Sequence, residues 1–217
     1  TVEEGVKVTG DVEVSATLNM NGTLNGSIIL NGDNGVVNGA EGLKVNSNVE
    51  GYKAVYADGK WTLVAMTFAA KIGEAQYETL AEAIAAAQAG QTIELLANVE
   101  GNVTLSKNVT INGAGKSYTG TMTINNVTAT IQNVAFVKGR VYKHKSTGSA
   151  GVITIKDCTF DGNNGALNYS LDIKGAKTLN VENCSAKNYK YAFLYIPNSL
   201  TNASLKNITV EDCPSYA

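Results

Sequence analysis

The sequence predicts an all-β chain whose larger part, residues 67–217, is a parallel β-helix (a solenoid) with one short capping helix at its N-terminal end. A small all-β segment, residues 1–66, precedes it. Three observations carry this reading. A six-residue stretch recurs at Val109–Ala114, Ala129–Val134, Ile153–Cys158, Leu179–Cys184 and Ile208–Cys213, at intervals of 20, 24, 26 and 29 residues, a period proper to stacked repeats. Each copy alternates apolar and polar residues, which suits a short strand with one buried face. The fifth position is Gly, Asn, Asp, Asn and Asp in turn, the residues that best accept a left-handed corner.

Residues 1–50 hold five Asn-Gly pairs, from Asn21-Gly22 to Asn38-Gly39, between short apolar alternations such as Val12-Glu13-Val14 and Ile28-Ile29-Leu30. Turn signals this dense leave room for strands only, either a small β-solenoid, the end of a preceding one, or a sandwich fragment. Tyr52–Tyr56 and Lys60–Val64 flank Ala57-Asp58-Gly59 and read as a hairpin, with the single Trp61 packed across it. A shorter hairpin follows at Gly73-Glu74. Thr79 and Glu82 then form a capping box, Leu80, Ala83, Ile84 and Ala87 share one face, and Gly90 supplies a left-handed stop. A helix of about ten residues with so shallow a face can lie flat on the first repeat and block strand pairing there.

From Thr92 onward the alternation points Ile93, Ile111, Ile131, Ile155, Val181, Ile208 and Val210 inward, with aliphatic or aromatic partners in each repeat. The end of the chain allows two registers. Leu205-Lys206-Asn207-Ile208 fits the pattern at an interval of 24 residues as Ile208–Cys213 does at 29.

The recurring strand and Asn/Asp corner, preceded by an amphipathic helix, resemble right-handed parallel β-helix proteins of the pectate-lyase-like type. More narrowly, Ala70–Gly73, Tyr77–Ile84 and Gly90–Leu96 look like the cap module of large surface proteins from gut bacteria. The resemblance covers residues 67–217 and implies a right-handed solenoid in a secreted or cell-surface setting. It implies no single activity, because lyases, hydrolases, adhesins and inert stalks share the architecture.

Composition narrows the partners. Of 217 residues 44% are hydrophobic, enough for a core, and only 17% are charged, with a net charge of −2. Arg140 is the only arginine, which argues against nucleic acid, where guanidinium contacts do much of the positioning. No apolar run reaches the length of a membrane span, and the start at Thr1 is no signal peptide, so the chain reads as part of a longer protein. Three cysteines cannot all pair within one chain.

Four groups of residues could carry chemistry. Cys158, Cys184 and Cys213 align at one inward position and read as buried thiols, with no metal set around them. Glu182 and Glu211, in an outward ladder with Lys156, align one residue past the inward Ile or Val of each copy, and two carboxylates on adjacent strands would stand near the spacing of a retaining glycosidase pair. A basic loop, Val137–Gly148, interrupts the repeat and gathers Lys138, Arg140, Tyr142, Lys143, His144 and Lys145, a set suited to an acidic glycan. Tyr191 and Tyr195, with Tyr189 and Tyr169, form an aromatic strip able to stack on sugars or pack beneath the last repeat.

The resulting expectation is a non-catalytic, extracellular module of a bacterial surface protein, a stalk or adhesin that binds glycan or a host or bacterial surface protein. No cofactor, metal or nucleic acid is expected. The alternative is a polysaccharide lyase or glycoside hydrolase acting on acidic glycans.

Overall fold

The computed structural model of the chain describes residues 1–32, 34–144, 150–197 and 200–214. The chain divides into two compact units, Thr1–Thr67 and Phe68–Ala217.

The first unit begins with seven three-residue strands, β1 (Lys7–Thr9), β2 (Val12–Val14), β3 (Thr17–Asn19), β4 (Thr23–Asn25), β5 (Ile28–Leu30), β6 (Val36–Asn38) and β7 (Val45–Ser47). They pair in parallel as β1 with β4, β2 with β5, β5 with β7, and β3 with β6. Parallel pairing of strands joined by Asn-Gly turns distinguishes this unit from a sandwich of hairpins. Val14, Met20, Ile28, Leu30 and Val37 form its core. The predicted hairpin follows as β8 (Tyr52–Ala57) and β9 (Lys60–Ala65), closed by left-handed Asp58 and Gly59, and β9 adds antiparallel to β6. Trp61 packs 5.4 Å from Tyr56 and donates its Nε1–H to Ala40 O.

The second unit opens with the antiparallel pair β10 (Ala70–Ile72) and β11 (Ala75–Tyr77), then α1 (Leu80–Ala86). The capping box forms as predicted, with Thr79 and Glu82 each bonded to the other's backbone N–H. The helix stops at Ala87 instead of reaching Gly90. Lys107 reaches over from a later strand connection and donates its ammonium to Ala85 O and Ala87 O, satisfying the terminal carbonyls without a further turn.

The strands that follow are β12 (Thr92–Leu95), β13 (Val99–Glu100), β14 (Val103–Leu105), β15 (Val109–Asn112), β16 (Ser117–Ile124), β17 (Ala129–Gln132), β18 (Ala135–Lys143), β19 (Ala150–Lys156), β20 (Thr159–Asp161), β21 (Tyr169–Ile173), β22 (Ala176–Lys187), β23 (Ala192–Tyr195) and β24 (Asn202–Glu211). They belong to one long, strongly curled sheet. From β12 on every pair is parallel, and three rows can be followed. In the first, β12, β15, β17, β19, β22 and β24 place Ile93, Ile111, Ile131, Ile155, Val181 and Leu205 in one column. In the second, Val99, Tyr118, Phe136, Phe160, Ala186 and Val210 align, with the Phe136 and Phe160 rings stacked at 4.6 Å. In the third, Val103, Met122, Val141, Leu171 and Leu194 align. Each large aliphatic so buried contributes on the order of 1.5–3 kcal/mol.

A left-handed residue turns the chain between the first and second rows. It is Asn133, Asp157, Asn183 or Asn207 in successive repeats, and in the earliest copy Ala114 instead of the predicted Gly113. Gly113 has a different duty: a Cβ there would collide with the Asn133 carbonyl. The corner side chains bond along the stack, Asn183 Nδ2 donating to Asp157 Oδ1 and Asn207 Nδ2 to Asn183 Oδ1.

The end of the chain adopts the 24-residue register. Leu205 lies opposite Val181, Lys206 opposite Glu182 and Ile208 opposite Cys184. Val210, expected inside, is 46% exposed because β24 is an edge with nothing stacked on it among the described residues.

Candidate functional site

The basic segment and the tyrosine strip, 50 residues apart in sequence, meet on one outer face. Strand β18 continues through Gly139–Lys143 and pairs with β16 and β21, so most of the supposed loop is regular strand. Its alternation turns Val141 and Lys143 inward and leaves Arg140 and Tyr142 outward, both half-buried, with His144 exposed. Tyr142 lies opposite Asp172 of β21, which lies opposite Tyr195 of β23. A column Tyr142, Asp172, Tyr195 results, one residue per strand.

Around this column the side chains interlock. The Arg140 guanidinium sits 5.1 Å from the Tyr142 ring centre and donates through Nε to Thr121 Oγ1. Lys174 places its ammonium between two rings, 5.4 Å from Tyr142 and 5.7 Å from Tyr195, and 3.4 Å from Asp172 Oδ2. Tyr169 stacks on Tyr195 at 4.5 Å and leans on Tyr191, over which Lys190 is held at 5.1 Å. Tyr142 meets His144 edge-on at 6.1 Å. Asp172 is only 5% exposed, and its Oδ1 makes no hydrogen bond. Tyr142, Tyr195 and Tyr191 thus each hold a cation against the ring face, where the ring quadrupole favours it. The arrangement can offer aromatic surface and N–H donors together to an oxygen-rich ligand.

Three residues expected in this site fall elsewhere. Lys143 is 1% exposed and points into the interior, donating to Asn126 Oδ1 and His144 O, and burial pulls its pKa below the ordinary lysine value. It is a core residue, placed there by strand alternation. Tyr189 is also buried, its hydroxyl donating to Gly139 O, and burial raises its pKa. Lys138 is exposed at a left-handed turn at the start of the segment. Lys145 lies outside the described residues. Asp172, Lys174 and Lys190 were missed by sequence reading, although Leu171-Asp172-Ile173 carries the alternation that sets Asp172 on the outer face.

The carboxylate pair Glu182 and Glu211 does not come together. Glu182 lies opposite Lys206, and Glu211 opposite Lys187, in a groove of about 470 Å³ that also holds Asp161, 3.6 Å from Lys187. The earlier register would have set two like charges directly opposite, which is unfavourable, where the observed one pairs each with a lysine. The cysteine column is shortened likewise. Cys158, in the corner between β19 and β20, and Cys184, on β22, are free and buried, while Cys213 is partly exposed and Ile208 takes the third place. The hydrogen bond that Cys158 donates to Cys184, and then burial, push the Cys158 thiol up, so it stays protonated.

Among the described residues no His, Cys, Asp and Glu cluster could hold a metal ion, and no helix is long and apolar enough to cross a membrane. Comparisons with family models, curated proteins and solved structures returned no match for this chain.

Proposed function

We propose that residues 68–217 form a right-handed parallel β-helix and act as a non-catalytic, extracellular saccharide-binding module of a bacterial surface protein. Three parallel rows with aligned inward columns support the architecture. The single observation that carries the function is the outer column Tyr142, Asp172 and Tyr195 with Arg140 and Lys174 set against the rings. Half-buried tyrosines on a sheet face offer apolar ring surface and a polar tip at once, the combination that stacks on a sugar and bonds its hydroxyls. Arg140, Lys174 and Lys190 outnumber Asp172, so the preferred ligand is an anionic saccharide. The secreted, surface setting rests on the Asn- and Gly-rich, arginine-poor composition and on the resemblance of the cap residues.

The lyase or hydrolase alternative loses its main candidates, since Glu182 and Glu211 each face a lysine. Binding is tested by retention on immobilised anionic polysaccharides at rising salt. Tyr142→Ala with Tyr195→Ala should weaken retention about tenfold or more, two ring contacts of about 0.5–1 kcal/mol each summing toward 1.4 kcal/mol. Salt should weaken the wild type over the range in which the Debye length falls from about 10 to about 3 Å. Equal retention of wild type and double variant would rule this face out.

A further inference from the structure

One side chain stands between the two rings of the outer column. Lys174 holds its ammonium 5.4 Å from the Tyr142 ring centre and 5.7 Å from that of Tyr195. Tyr195 has Tyr169 stacked on one face at 4.5 Å, which leaves no room for an ammonium there, so Lys174 takes the other face. Tyr142 also carries the Arg140 guanidinium, 5.1 Å from its centre. A sugar ring that stacks on either tyrosine therefore needs the space that Lys174 fills.

The two cations are held differently. Arg140 donates through Nε to Thr121 Oγ1 on the neighbouring strand, which fixes its guanidinium. The Lys174 ammonium meets Asp172 Oδ2 at 3.4 Å. That is longer than the roughly 2.7–2.9 Å of a strong charge-assisted bond. The Lys174 backbone is anchored, since its N–H donates to Lys143 O at 2.8 Å and left-handed Gly175 turns the chain directly after it. The flexible four-carbon stem is the part free to move, and its side chain is already 27% exposed. Beside it, Asp172 Oδ1 is buried and makes no hydrogen bond, an acceptor without a donor.

Acidic and neutral saccharides differ at this point. A ligand carboxylate offers the ammonium a shorter bond than Asp172 does, so the stem can swing outward with its charge still paired while a sugar hydroxyl donates to Asp172. A neutral sugar has no such exchange to offer, and pushing Lys174 aside would leave Asp172 buried without its cation. We propose that Lys174 is a latch that makes this face selective for carboxylated saccharides: its ammonium covers the Tyr142 and Tyr195 rings in the free protein, and a ligand carboxylate draws it off them. The latch rests on the saccharide-binding reading above and adds the residue that sets its preference for acid.

Retention on immobilised polygalacturonate and on the same polymer fully methyl-esterified tests it. The wild type should be held by the acidic form and pass through the neutral one. Lys174→Ala together with Asp172→Asn removes the latch without leaving a buried charge unpaired. This variant should be held by both forms, its preference for the acidic one about tenfold or more below that of the wild type. A second measurement needs no variant. In the wild-type chain the rings shift the Lys174 Cε protons upfield, and trigalacturonate should return these NMR signals toward the ordinary lysine position. A wild type held equally by both polymers, a double variant that keeps the wild-type preference, or Lys174 signals unmoved by bound trigalacturonate would each overturn the latch and leave saccharide binding standing. A wild type held by neither polymer would overturn both.

Discussion

Two outer faces of the larger unit rest on equivalent inner walls yet carry different chemistry. On the first row, Thr110, Thr130, Thr154, Asn180 and Ser204 succeed one another, beside Gln132, Lys156, Glu182 and Lys206. These are small hydroxyl and amide groups or charges that alternate in sign. On the third row the corresponding surface holds Arg140, Tyr142, Asp172, Lys174 and Tyr195. Both walls are lined inside by fully buried aliphatics, Ile131 and Ile155 on one side, Val141 and Leu171 on the other. Inner columns are therefore what stacking needs, and outer residues are free to differ. Tyrosines and cations gathered on one outer face and not the other are a surplus that folding does not require.

The strongest break of this comparison is a cavity in either wall. Ile155→Ala and Leu171→Ala should each cost about 2–5 kcal/mol in denaturant unfolding, and by similar amounts, if the walls are equivalent. A cost on the first row several times that on the third would show the two walls unequal.

Strand β18 allows the same contrast within three residues. Lys143→Ala removes a buried ammonium bonded to Asn126 Oδ1 and His144 O and should destabilise by about 1–3 kcal/mol. Arg140→Ala on the outer face should stay within about 0.5–1 kcal/mol, so thermal melts of the two variants separate inside from outside. Coincident melts would remove the inward assignment of Lys143.

At the corner, Asn183→Ala should cost about 1–2 kcal/mol, since the left-handed backbone at φ 51° strains Cβ and two ladder bonds with Asp157 and Asn207 are lost. Asn180→Ala, one pleat earlier on the regular face, should cost less, and equal melting temperatures would discard the corner's special role.

The smallest expected effect concerns pH. The Asn163 backbone N–H, then Asn188 Nδ2 and Lys187, hold the Asp161 carboxyl below its ordinary value. A carboxyl with a depressed folded pKa adds stability above its unfolded pKa of about 3.9 and loses it as pH falls through the folded value. Melting temperature should therefore drop between about pH 5 and about pH 3 by less in Asp161→Asn than in the wild type. The reverse order would contradict the bonding around Asp161.

Much of the fold can be read from alternation alone, because a strand with one buried face must place every second residue inside. This gives the inward columns from Ile93 to Val181, the left-handed Asn and Asp corners, the capping box of Thr79 and Glu82 and the hairpin at Asp58-Gly59. Alternation also puts Tyr142 outside and Lys143 inside, provided Gly139–Lys143 is taken as strand. Its cluster of charges argues for a loop, and only pairing on both sides, with β16 and β21, makes it a strand. The tertiary structure alone decided which residues become neighbours between repeats. Connections of unequal length separate Tyr142, Asp172 and Tyr195, so no fixed period brings them together. At the end of the chain, two registers of similar local quality competed. The 24-residue one prevails because it sets Asn207 on Asn183 and Lys206 beside Glu182, where the other would oppose two carboxylates. Facing is a local property of a strand, whereas adjacency across repeats depends on loop lengths, corner bonds and charge pairing acting together.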